Sequence, residues 1–325
     1  MAYNRVRTPK FYIDAVLLAR QLGYIQQENA QGKFYLNPTK TTDIELNEDE
    51  IAYLDIRLTK RHFLNSITHC FILGHQLATD NLKVRGYTIH DEGGSNNLFG
   101  LQEVSNNGWS KFTGSANTSN DLNRFTIKID GDDIDGITKT STPIGDISVG
   151  WSWTAPNSPD MELTQTFANE SLKTQTTKGG FQLSNVGWTQ PPKWGNYPAW
   201  SRYTTNIAYP TRRSWSLKFS YLADENSDNS ALMPEFYNNF GIDKNRGIFE
   251  KISGSVIDDT ETFNIKQDFL SKVYAGTNGF QLPFIFQPDS TVEEYAIARV
   301  NANSVTMNQV ANNVYDISMS ITETF

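Results

Sequence analysis

Three strand-length apolar runs follow one another at the carboxy-terminal end of this chain, and they constrain its fold more than any other feature. The first is Pro283-Phe284-Ile285-Phe286-Gln287-Pro288-Asp289, the second Tyr295-Ala296-Ile297-Ala298-Arg299-Val300, and the third runs from Met307 to Ile321. In the third, Val310, Val314, Tyr315, Ile317, Met319 and Ile321 are apolar or aromatic, and from Tyr315 onward they alternate strictly with Asp316, Ser318 and Ser320. A period of two marks a strand with one buried face. Tyr315, Ile317, Met319 and Ile321 are therefore expected to face a core, with the intervening polar residues turned away. The final strand is expected to be tied into a sheet instead of fraying.

The rest of the chain repeats the theme. Its 325 residues exceed the usual domain of about 100–200 residues, so two domains are expected. Charged residues make up 20%, while 14 Tyr, 19 Phe and 7 Trp favour strands and large buried areas. Between Thr42 and Ala155, short alternating or apolar runs recur: Ile51–Leu58, Ile67–Leu73, Leu82–Ile89, Phe125–Ile129 and Ile147–Trp153. Ile67–Leu73 is nearly continuous and reads as a strand covered on both faces. Gly93 to Asn123 reads as an aromatic and polar loop. Pro156 and Pro159, three residues apart, mark the best boundary. Beyond it, Met161–Phe167, Phe181–Val186 and Trp215–Tyr221 read as strands, and Asn264–Tyr274 as a helix stopped by Gly276. The predicted fold is mainly β: two β-sandwich, jelly-roll or barrel-like domains, with a single short helix in the second. Residues 1–40 form an amino-terminal arm, 41–158 a jelly roll and 159–325 the second domain. In the arm, Phe11–Asp14 reads as a short strand and Ala15–Leu22 as a helix closing on Gly23. Its apolar face needs cover, from its own chain or from another.

The wording of several segments adds a resemblance. Leu282–Asp289 (LPFIFQPD) and Gln309–Ile321 (QVANNVYDISMSI) resemble the carboxy-terminal strands of tail and baseplate structural proteins of tailed bacteriophages, and Asn157–Phe167 resembles a junction found in such proteins. Tyr53–Ile89, within residues 45–155, is similar to galactose-binding-like jelly rolls. The resemblance implies a non-enzymatic virion structural protein at the tail tip or baseplate, assembling as a cyclic homo-oligomer or adaptor with other tail proteins. It makes the second domain hub-like and the jelly roll an outward module, with the protein located in the virion after synthesis in the bacterial cytoplasm. An alternative is a carbohydrate-binding tail or adhesin module that meets a host-surface glycan. A capsid or neck protein and a tail-associated glycan hydrolase are further readings.

Charge and motifs narrow the chemistry. A net charge of −8 and a pI near 5.1 oppose a nucleic-acid partner, which requires a basic field. The single cysteine, Cys70, lies in an apolar run and reads as a core residue. No apolar run reaches the roughly 20 residues of a membrane span, and Asp14 and Arg20 interrupt any signal-peptide core. The histidines are His62, His69, His75 and His90; His69 and His75 bracket one strand about 20 Å apart, too far to share a metal. His75 reads as a structural turn histidine. Asp130-Gly131-Asp132-Asp133-Ile134-Asp135-Gly136 departs from a calcium loop at Ile134 and reads as a hairpin turn. Neither a nucleophile elbow nor a phosphate loop is present. No catalytic residue, cofactor or metal is therefore expected. The interface candidates are Phe11, Tyr12, Trp188, Trp194, Tyr197, Trp200 and Tyr203, since Trp and Tyr anchor interfaces. The last five can also stack on sugar rings or fill a core. Trp109 and Phe112 are the aromatics for glycan contact under the alternative reading.

Overall fold

The computed structural model describes residues 7–29, 33–38, 40–47, 49, 51–59, 67–90, 95–114, 122–131, 140–155, 158–160, 164–168, 172–186, 212–223, 250–251, 263–264, 269–301, 307–311 and 314–324. In chain order, the strands are β1 (Lys10–Asp14), β2 (Ile25–Asn29), β3 (Thr42–Glu45), β4 (Ile51–Leu58), β5 (His69–Leu73), β6 (Leu82–His90), β7 (Ser95–Gln102), β8 (Trp109–Thr113), β9 (Leu122–Gly131), β10 (Ser141–Ile144) and β11 (Asp146–Thr154). They continue as β12 (Thr164–Ala168), β13 (Leu172–Thr176), β14 (Gln182–Val186), β15 (Arg212–Ala223), β16 (Glu250–Lys251), β17 (Phe263–Asn264), β18 (Phe284–Gln287), β19 (Ala296–Val300), β20 (Met307–Ala311) and β21 (Val314–Glu323). Helix α1 spans Ala15–Gln21, and a π-helical turn spans Leu270–Ala275.

The chain is mainly β, with antiparallel sheets arranged as a sandwich of jelly-roll type. A five-stranded sheet has the order β2-β4-β9-β6-β7. A ten-stranded sheet runs β12-β15-β21-β19-β18-β1-β11-β5-β8, with β20 added beside β21. Ile56, Ile127 and Val84 from the first sheet share one core with Cys70, Val149 and Trp151 from the second. Alternation explains the division of faces. In β21, Ile317 and Ile321 are buried, Met319 packs partly against the core, and Ser318 and Ser320 are exposed. Strand β5 is buried along its whole length, as its continuous apolar run requires.

The amino-terminal segment is the main correction. Expected as an arm outside the principal sheets, residues 10–14 instead form a strand within the ten-stranded sheet. Strand β1 pairs with β11 on one side (Phe11 opposite Trp153) and with β18 on the other (Phe11 opposite Phe286). It thereby joins strands from residues 41–158 to strands from residues 159–325, and the core cluster continues across it to Trp215, Phe286 and Ile321. The alternation of Phe11 and Ile13 with Lys10, Tyr12 and Asp14 announces a strand, but five residues carry no information about which neighbours it takes.

Local chemistry then turns the chain. Asp14 Oδ1 accepts the Leu17 N–H at 2.9 Å and caps α1. Gly23, at φ +74°, takes the left-handed conformation that ends it. The expected helix at Asn264–Tyr274 is found only as the π-helical turn, with residues 265–268 outside the described residues. The expected loop from Gly93 to Asn123 contains β7 and β8. Asn96, Asn97 and Lys111 dilute the apolar signal there, as both strands lie at sheet edges.

Candidate interaction surface

The face of the ten-stranded sheet that looks away from the sandwich core collects an aromatic and cationic cluster. The register of β1, β5 and β8 places Tyr12, His69, Phe71, Trp109 and Lys111 on this face, and Tyr295, just before β19, joins them. The rings meet edge to face: Tyr12 lies 5.0 Å from His69 and 5.1 Å from Phe71, and Tyr295 lies 5.3 Å from Phe71 and 5.4 Å from Trp109. Lys111 Nζ donates to Tyr295 Oη at 2.9 Å, while Tyr12 Oη donates to Gln287 Oε1 at 2.7 Å. Burial raises the pKa of both tyrosine hydroxyls and lowers that of Lys111. His69 is fully buried, and neither ring nitrogen has a hydrogen-bond partner. Burial first, then the charges of Lys10, Lys111 and Lys272, hold its pKa well below the usual histidine value. This neutral imidazole, wedged between rings, is a packing element with no proton-transfer partner. His75 differs: its Nε2 shares a 2.9 Å hydrogen bond with Ser110 Oγ, and burial lowers its pKa to about 4. Among the described residues no group of His, Cys, Asp or Glu gathers as a metal site, and no helix is long and apolar enough to cross a membrane.

The structure redistributes the sequence candidates. Phe11 and Tyr12, expected at an interface between subunits, are buried within their own chain, because β1 lies inside the sheet. Phe112, expected to meet a glycan, is buried inside the sandwich and stacks on Phe99 at 4.8 Å, since it occupies the inward register of β8. Trp109 occupies the outward register and is half-buried against Tyr295. Trp188, Trp194, Tyr197, Trp200 and Tyr203 lie outside the described residues. So does the candidate calcium loop beyond Gly131.

One exposed apolar surface was not singled out by sequence reasoning. Among the described residues, strands β13 and β14 pair only with each other, as a two-stranded sheet apart from the two larger ones. Residues 174–183 are exposed throughout. Phe181, at 70% exposure, and Leu183, at 53%, stand two residues apart, on one face of the hairpin. The turn is well formed: Thr177 N donates to Phe181 O at 2.8 Å, and Gly180 takes φ +82°. The signal was present in Lys178-Gly179-Gly180 followed by an apolar alternation. Such alternation implies a buried face, yet among the described residues this one stays open.

No protein-family model matches the chain, and no curated protein does. Among solved structures, a pectin-binding carbohydrate-binding module aligns with 38% of this chain and 89% of its own, at 13% identity and a TM-score of 0.24. A likeness of that size carries no argument about fold or ligand.

Proposed function

We propose that this chain is a non-enzymatic structural subunit of a tailed-phage virion that works by assembling, as a ring or adaptor at the tail tip or baseplate. The observation that supports assembly is the β13–β14 hairpin, on which Phe181 and Leu183 are exposed. Neighbouring large apolar side chains left exposed on one face are a surface that a partner can cover. The phage attribution rests on the resemblance carried by Leu282–Asp289 and Gln309–Ile321. These segments supply β18, β20 and β21 of the ten-stranded sheet. Cyclic symmetry would let one patch meet its complement on the next subunit until the ring closes.

Immunogold labelling of phage particles from the cells that encode this chain tests the reading. Gold confined to one end of the tail is the expected result. Particles that carry no label, and whose protein composition lacks this chain, would overturn it.

A further inference from the structure

We propose that the β13–β14 hairpin (Leu172–Val186) is a coupling arm that docks on the acidic surface of a second copy of this chain. The proposal rests on the assembly reading above and adds to it the contacting element and its partner. An isolated two-stranded hairpin is marginally stable at best in water and needs a third strand or a packed face to hold it. This hairpin has neither among the described residues: it pairs with no other strand, and residues 174–183 are exposed. Two of its four apolar residues, Phe181 beside the turn and Leu183 two positions on, are exposed where a partner could reach them.

Charge identifies the partner. Leu172–Val186 contains Lys173 and Lys178 and no Asp or Glu, so it carries +2 within a chain whose net charge is −8, leaving −10 on the remainder. The hairpin is thus opposite in sign to the rest of its own chain. A second copy offers such an acidic body at the same local concentration, and complementary potentials favour encounter and fix register. The aromatic side chain then supplies the desolvated anchor, with Lys178 at the polar rim.

The test is the oligomeric state of the purified full chain by size exclusion with light scattering. Three proteins are compared: the wild type, Phe181→Ser/Leu183→Ser and Lys178→Glu, each with its melting temperature. The wild type is expected to form a defined oligomer. The serine variant should raise the dissociation constant by about tenfold or more, the scale of one interface anchor. Its melting temperature, extrapolated to the monomer, should match that of the wild type. Lys178→Glu should weaken assembly at about 50 mM salt and much less at about 500 mM, where exposed charges are screened. An oligomeric wild type with both variants unchanged would overturn the hairpin's role and leave the assembly reading standing. A wild type that stays monomeric at roughly 100 μM, a concentration that would reveal even weak self-association, would overturn the hairpin proposal and self-assembly together.

Discussion

Arg213 is a charged residue at 1% exposure, and each nitrogen of its guanidinium is hydrogen-bonded. Nε donates to Glu323 Oε2 and Nη2 to Glu323 Oε1, each at 3.0 Å; Nη2 also reaches the Tyr295 carbonyl, and Nη1 reaches Glu294 Oε1 at 3.0 Å. The planar fork suits this bidentate geometry, and the ring of Trp215 lies 5.2 Å from the guanidinium carbon. Glu323→Gln removes the buried carboxylate and leaves the guanidinium with only the half-exposed Glu294 as counter-charge, so it should cost about 3 kcal/mol in urea unfolding. Arg213→Met/Glu323→Leu should cost clearly less, because the only charge it leaves without its partner is Glu294, which water can solvate. A double variant as unstable as the single one would show that the ion pair is a net source of stability. His69 presents the opposite case, a buried polar ring with no hydrogen-bond partner. Its folded pKa is depressed, so below the usual histidine pKa of about 6.5 the unfolded chain binds a proton that the folded chain refuses. Stability contributed by the neutral ring is therefore lost as pH falls below that value. His69→Phe keeps the edge-to-face contacts with Tyr12 and Phe71, and should be more stable by about 1 kcal/mol at pH 7. The advantage should widen at pH 5, as followed by melting temperature. An advantage that does not grow on acidification would show that His69 accepts its proton in the folded state.

At the scale of elements, β1 decides the most with the fewest residues. Its register against β11 brings Asp14 opposite Gly150, where the chain turns into α1. A Cβ at Gly150 would lie 1.9 Å from the Ile13 carbonyl oxygen and 2.7 Å from the Ala15 nitrogen, both backbone atoms that cannot rotate away. Gly150→Ala should therefore push β1 and β11 apart and cost about 1–3 kcal/mol or more, the scale of an overpacked core. Thermal melting checks this; an unchanged transition would mean that the two strands can separate freely. Much of this level was legible in the sequence. The alternation in Tyr315–Ile321 and the continuous run ending at Leu73 identified β21 and β5, because each pattern records how many faces of a strand are covered. Strands β7 and β8 were not legible. Phe112 fills the core from an edge strand that otherwise holds Ser110, Lys111, Thr113 and, on the opposite face, Trp109, so no period stands out. The hairpin's alternation misled in the other direction, since Phe181 and Leu183 keep the pattern of a buried face while remaining exposed.

For the molecule as a whole, the consequence is cooperativity. Residues 41–158 and 159–325 contribute strands to one ten-stranded sheet, and Phe11 packs against Trp153 on one side and against Phe284 and Phe286 on the other. Unfolding either half strips one edge of β1 and opens the shared core. A single calorimetric transition is therefore expected, with the calorimetric enthalpy equal to the van't Hoff enthalpy. Two resolved transitions would show that β1 couples the halves only weakly. What the amino-acid sequence determined by itself was the β class and the regularly patterned strands, because these follow from periodicities within a few positions. Only the tertiary structure decided the partners. Tyr12 donates its hydroxyl to Gln287, 275 positions away, and no local pattern encodes a contact of that separation. The segment that read as an arm lies within the sheet for this reason. Its five residues specify a strand, but its position depends on the edges that β11 and β18 leave open.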